Sequence, residues 1–343
     1  MTPEPTTSGD GTANDGAGHA GAAGERRLRR GPPRWLQGLV ATVVSVVVVA
    51  AAWFFFVRGD EPDLVRGLGP ANPSPFDSRG AVTPGPDEAT MSDDGQLAVI
   101  AAGQVTLAVE GKLRPVTKPG TNVVDVAWFK GADVLLVAEG PTPTGGVSVL
   151  ELDGTVRGTI PLDPSIGFGS GHGMSVAPGN KRAAVTAVER PALAPTDQRH
   201  LAEIDLESGK VRNLTEPGVD AYGPSYVDRG TVLFTYGGDA VLLSTTTGKQ
   251  QLVRAKARAV GVIRGEWLVT VDAAGQVLAR HVGEEGALGR SVELGHLPPQ
   301  STPVSVDPAG GRIVVNTPAR LTTGEPLFGL VAIEIRPTPS GSG

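Results

Sequence analysis

One short turn returns along this chain at a nearly regular interval. It appears first as Ser92-Asp93-Asp94-Gly95, and again at glycines 131, 179, 230, 265 and 310. The spacings run from 35 to 51 residues, about 43 on average. An apolar run follows each turn: QLAVIA, ADVLLVAE, KRAAVTAVE, TVLFTYG, EWLVTVD and GRIVVNT. A further run then follows in every unit: VTLAVE, VSVLELD, HLAEIDL, AVLLSTT, QVLARHV and LVAIEIR. Several units add a second turn and a last run, such as GTVRGTIPL, GKVRNLT and GKQQLVR. Short apolar runs bounded by Gly, Pro, Asn and Asp read as strands. With 48 glycines and 29 prolines, the chain is punctuated too densely for long helices in this region.

A period of 40–45 residues with four strands per unit predicts a radial fold. One four-stranded sheet cannot cover both of its faces. Six arranged around an axis cover one another and leave only short, protected edges. The expected fold is therefore all-β: a six-bladed β-propeller over residues 87–337, preceded by a single transmembrane helix. A β-sandwich is the competing fold, but nothing in a sandwich requires the same turn at the same point of every unit.

The third unit carries the pattern most fully. Ala177-Pro178-Gly179-Asn180-Lys181 forms its turn, and Leu201, Asp205, Leu206, Gly209, Leu214 and Thr215 mark a hairpin reading L-x-x-x-D-L-x-x-G-x-x-x-x-L-T. Trp128 supplies an aromatic residue just before the turn of the second unit. These motifs resemble the TolB-like family of β-propellers across roughly residues 87–336. The resemblance implies the propeller fold. The α/β domain that precedes the propeller in TolB has no counterpart in the upstream sequence.

That upstream sequence divides into three parts. Residues 1–34 combine a Gly/Ala/Thr-rich tail with a basic cluster at Arg26, Arg27, Arg29, Arg30 and Arg34. The tail lacks the apolar surface needed to offset ordering entropy, so disorder is expected there and at 338–343. The predicted transmembrane helix occupies 35–57. Its uncharged core, 36–57, would span about 33 Å, enough for a hydrocarbon layer. Trp35 and Trp53 lie toward its ends, and the arginines on its N-terminal side place the N-terminus in the cytoplasm. A cleaved signal peptide ending at Ala50-Ala51-Ala52 is the alternative, but it would leave Trp53-Phe54-Phe55-Phe56-Val57 exposed. Residues 58–86 hold Pro62, Pro70, Pro73, Pro75, Pro84 and Pro86, the composition of an extended stalk.

The sixth unit runs out before a fourth strand. After 330–336 the chain reads PTPSGSG, and its prolines cannot donate to a ladder. A strand from upstream is expected to close the ring. The proline-free segment 78–83, laid antiparallel to 330–336, is the predicted closing strand.

Little in the sequence carries chemistry. There is no cysteine, which excludes thiol catalysis and cysteine-ligated metal. The formal charge of −6 argues against a general nucleic-acid binder. The five histidines show no metal-ligand spacing. The glycine-rich stretch from Gly167 to Ser175 lacks the Gly-Lys-Ser/Thr ending of a phosphate loop, and Ser175 lacks the second glycine of a nucleophile elbow. It reads as a loop between blades with His172 directed inward. Asp125 and Asp220 enter first strands, which line the channel of a propeller. Asp125, His172 and Asp220 are thus the candidate channel-facing residues. Tyr222, Tyr226, Trp128 and Trp267 read as packing between blades.

The expectation is a non-catalytic extracytoplasmic binding or scaffold protein in the bacterial cytoplasmic membrane. It would use no cofactor and no metal, and bind an envelope protein or ligand on one propeller face. The alternative is a metal-dependent propeller hydrolase or lactonase with acids in the channel.

Overall fold

The computed structural model describes residues 67–71, 88–101, 103–109, 112–140, 146–162, 166–168, 173–189, 199–283, 286–320 and 326–336. The predicted membrane segment at 36–57 lies outside them. Among the described residues no helix is long and apolar enough to cross a membrane.

The described strands form six antiparallel sheets. Blade 1 is Glu88–Met91, Leu97–Ala101, Gln104–Val109 and Lys112–Pro115. Blade 2 is Val123–Trp128, Val134–Glu139, Gly146–Glu151 and Val156–Pro161. Blade 4 is Ala221–Tyr226, Thr231–Tyr236, Asp239–Ser244 and Gln250–Arg254. Blade 5 is Ala257–Ile263, Trp267–Asp272, Gln276–Val282 and Leu288–His296. In blade 3 the first strand is split. Ile166–Phe168 and Met174–Val176 both pair with Arg182–Glu189, followed by Arg199–Asp205 and Val211–Asn213. Gly167 and Phe168 thus lie in a strand, where the sequence suggested only loop.

The first strands touch one another in order around a closed ring, with blade 6 meeting blade 1. Each gap between blades holds its own apolar core. Leu107, Val126 and Leu135 join blades 1 and 2, and Phe234 and Leu201 join blades 3 and 4. Trp267, Ile313 and Ile333 join blades 5 and 6. This explains why second strands such as Val134–Glu139 are buried on both faces, whereas the outermost strand of blade 2 is almost wholly exposed. The seam between blades 6 and 1 holds Ala89, Met91, Leu97, Val99 and Val314, the smallest of these clusters among the described residues.

First strands begin at what we term the upper face and end at the lower. The recurring turns all lie on the lower face, and there they bond to one another. The Gly131 N–H donates to Asp93 Oδ2 at 3.0 Å. Asn180 reaches across to blade 2, accepting from the Lys130 N–H at 2.8 Å and donating to the Lys130 carbonyl at 3.0 Å. The Arg182 guanidinium donates to the Arg229 carbonyl, and the Arg264 N–H to the Pro308 carbonyl. Arg312 reaches the Gly95 carbonyl at 3.4 Å. Five of the six neighbouring pairs of turns are joined in this way among the described residues. Asn180 takes φ 58°, a left-handed conformation that Asn tolerates better than most residues.

Blade 6 is Thr302–Val306, Arg312–Arg320 and Pro326–Arg336, closed by Gly67–Ala71 as its outer strand. An upstream strand does pair antiparallel with the 330–336 segment, as Gly67↔Arg336, Leu68↔Ile335 and Ala71↔Ile333. It is not the predicted segment 78–83, which lies outside the described residues. A proline-free run was sought because proline cannot donate to a ladder. The register instead shifts between Leu68 and Ala71, so Pro70 falls in an irregularity of an edge strand, where a missing donor is tolerated.

Candidate functional site

The described strand ends that flank 141–145, 163–165, 190–198 and 321–325 all fall at the upper face. The lower face carries the tight turns. The channel between the first strands forms a cavity of about 330 Å³, lined by residues of all six blades. Pockets that bind small molecules start near this size.

A carboxyl pair marks the wall at blades 1 and 2. Glu88, the first residue of blade 1, lines the cavity. Asp125 lies behind it, fully buried, and its side chain shares a hydrogen bond with Glu88. Two carboxyl groups can share such a bond only if one holds a proton. Asp125 Oδ1 also accepts the Val126 N–H at 2.9 Å. Burial is the largest influence and raises the Asp125 pKa to about 7. The Glu88 and Val126 hydrogen bonds oppose the rise.

The opposite wall is basic and aromatic. Tyr222 and Arg258 line the cavity at the start of blades 4 and 5. The Arg258 guanidinium stands 5.9 Å from the Tyr222 ring centre. Arg199 stacks on the same ring at 4.3 Å and grips Asp220 with both ends of its guanidinium, one contact at 2.6 Å. Between the walls, on blade 6, Asn316 contributes an Oδ1 that is buried and makes no hydrogen bond among the described residues.

The sequence candidates fared unevenly. Asp125 is fully buried and is not among the cavity-lining residues. Asp220 is held by Arg199 and is not among the cavity-lining residues. His172 lies outside the described residues. Tyr222 lines the cavity rather than only packing between blades. Trp128, Tyr226 and Trp267 are buried in the cores between blades, and Trp128 and Tyr226 also line the cavity. Tyr226 also donates from its hydroxyl to Glu203 Oε1 at 2.7 Å. Glu203 in turn pairs with Arg182 and Arg212, making a buried ionic knot between blades 3 and 4. Burial, together with Glu203, pushes the Tyr226 phenol far above its ordinary range.

Glu88 and Arg258 were missed, and for Arg258 the cause is geometric. First strands of blades 2, 4, 5 and 6 all carry register shifts. Each shift interrupts the alternation of faces and re-aims the residues beyond it. The only sequence signal was position, since both residues fall at the start of a first strand.

Among the described residues, no three His, Cys, Asp or Glu side chains come together in a way that would hold a metal ion.

The ring of six four-stranded blades around a channel defines a six-bladed β-propeller. Solved structures similar to it include TolB from Acinetobacter baumannii, at 15% identity and TM-score 0.44, covering 84% of this chain and 68% of that one. A putative TolB from Agrobacterium tumefaciens is 14% identical with TM-score 0.46, covering 61% and 80%. A gluconolactonase from Xanthomonas campestris is 15% identical with TM-score 0.52, covering 79% and 99%. The six-bladed propeller fold is thus one that this chain shares with the gluconolactonase. No family model matches the sequence, and no curated protein does either.

Proposed function

We propose that this chain is a non-catalytic binding protein. On this reading residues 36–57 anchor it in the bacterial cytoplasmic membrane, and the propeller presents its upper face to an extracytoplasmic protein or ligand. The observation that carries the reading is the asymmetry of the two faces. One carries tight turns that bond to their neighbours. The other carries the strand ends that flank 141–145, 190–198 and 321–325, and there Glu88, Tyr222 and Arg258 line the cavity at the starts of first strands. The direction of the closing strand agrees with it. Gly67 pairs with Arg336 at the lower end, so the chain enters the propeller from the face opposite the proposed binding surface.

Site-specific photocrosslinking in intact membranes tests this. A photoreactive residue replaces Ala274, exposed on an upper turn, or Thr247, exposed on a lower one. A discrete adduct from position 274 and none from 247 is expected. Adducts from 247 alone, or from neither, would overturn the reading.

One observation favours a second reading, a channel hydrolase: the proton-sharing Glu88–Asp125 pair beside the cavity. Hydrolysis of a sugar lactone by the purified chain, lost in Glu88→Gln, would establish it.

A further inference from the structure

Three charged side chains line the channel cavity: Glu88, Lys130 and Arg258. Two are engaged. Glu88 bonds to Asp125, and Lys130 lies 3.8 Å from Asp93 at the lower end. Arg258 differs. It makes no hydrogen bond or ion pair among the described residues, and its one described interaction is with the Tyr222 ring. The acid nearest this corner, Asp220, is already taken by both ends of Arg199. So an acidic protein leaves one guanidinium without an acid partner, on the wall of a cavity of about 330 Å³, beside a phenol and across from an unsatisfied amide oxygen.

We propose that the upper channel mouth binds the oxyanion of a small organic acid, with Arg258 as its ion-pair partner and Tyr222 beside it. The inference rests on the binding reading above and names the chemistry of a ligand for that surface. A guanidinium offers parallel N–H donors matched to carboxylate or phosphate oxygens. A partly enclosed mouth strengthens such a pair relative to one in open water. The Asn316 oxygen selects for a ligand that also carries a hydroxyl or amine donor. Glu88 disfavours a second negative charge deep in the cavity, so the acid group stays on the Arg258 side.

The test is calorimetric titration of the full chain, purified in mild detergent. The probes are lactate, succinate, citrate and glycerol 3-phosphate, with lactamide and glycerol as uncharged controls. At least one anion should bind saturably, and its uncharged counterpart about tenfold more weakly or not at all. Arg258→Ala should abolish the binding, and Arg258→Lys should retain part of it. Arg264→Ala, on the lower face, should leave it unchanged. Arg258 is exposed, and unchanged melting of the variants will show that the fold survives. Preference among the carboxylates and the phosphomonoester identifies the source of the oxyanion. No saturable binding, or binding indifferent to Arg258→Ala, would overturn the proposal. Loss of anion binding alongside an intact crosslink from position 274 would sink this inference and leave the binding role standing.

Discussion

Replacing Asp125 by Asn should change how the propeller's stability responds to pH. In the native chain the fully buried Asp125 carboxyl has its pKa raised from 3.8 to about 7. A raised folded-state pKa means that the fold favours the protonated acid. The associated stability is fully present below about pH 4 and is lost as pH rises through about 7. A shift of roughly three units corresponds to about 4 kcal/mol at most, since each unit is worth about 1.4 kcal/mol. Because Asp125 and Glu88 share the proton, the pair titrates as one unit. Asparagine keeps the shape and the bond to the Val126 N–H, and its amide can donate to Glu88 without a titrating proton. The variant should therefore lose this falling slope and exceed the native chain in stability by a few kcal/mol above about pH 7. Asp153 and Asp205 have lowered pKa values, from hydrogen bonds to Thr155 and Ser208 respectively. They act with opposite sign and in more acidic solution, outside this window. The assay is urea unfolding followed through tryptophan fluorescence between about pH 4.5 and about pH 8.5, with Trp128 and Trp267 as buried reporters. Parallel pH profiles for the two proteins would refute the shared proton.

Other perturbations probe the ring itself. Asn180→Ala removes both bonds to Lys130 and places alanine at φ 58°, so it should cost about 1–3 kcal/mol in denaturant unfolding. Asn180→Gly, which relieves the backbone, should cost less. Glu203→Ala leaves the Tyr226 hydroxyl and Arg212 without this acceptor and should cost about 1–3 kcal/mol, since Arg182 and Arg212 both reach solvent. Tyr226→Phe should cost less than half of that, and the reverse order would show that the knot is not cooperative. Gly261→Val should destabilise by about 1–3 kcal/mol, because even a Cβ there would lie 2.8 Å from Val306 Cγ1. A chain beginning at Asn72 should melt below one beginning at Pro62, by an equivalent of about 2–4 kcal/mol, since it lacks the closing strand. Equal melting temperatures would mean that Gly67–Ala71 carries no stability.

The repeat was legible because it is local chemistry. Five of the six turns place glycine at a left-handed position, and each flanking run must be apolar to fill the gaps between blades. Gly95, Gly131, Gly179, Gly265 and Gly310 all take positive φ. The third blade's hairpin was read correctly for the same reason, with Asp205 accepting from Ser208 inside the turn. What escaped depends on contacts between distant segments. Nothing near Gly67 announces a partner at Arg336, and Pro70 argues against a strand until the irregularity in register is seen. The channel wall escaped for a related reason. Strict alternation assigns faces only where the ladder is regular, and among the six inner strands only that of blade 1 is. Asp125 was found and Glu88 missed, although the two share a single hydrogen bond.

The closing strand also has a mechanical meaning. It enters at the lower end and runs upward along the edge of blade 6, so tension applied from the N-terminal side acts nearly along the strand. Its backbone bonds to Pro326–Arg336 would then be loaded together, in shear, rather than broken one after another from an end. The same tension falls on the blade that meets blade 1 across the smallest apolar cluster among the described residues. A chain tethered upstream of Gly67 would thus be held by its strongest loading geometry at its least thickly packed seam.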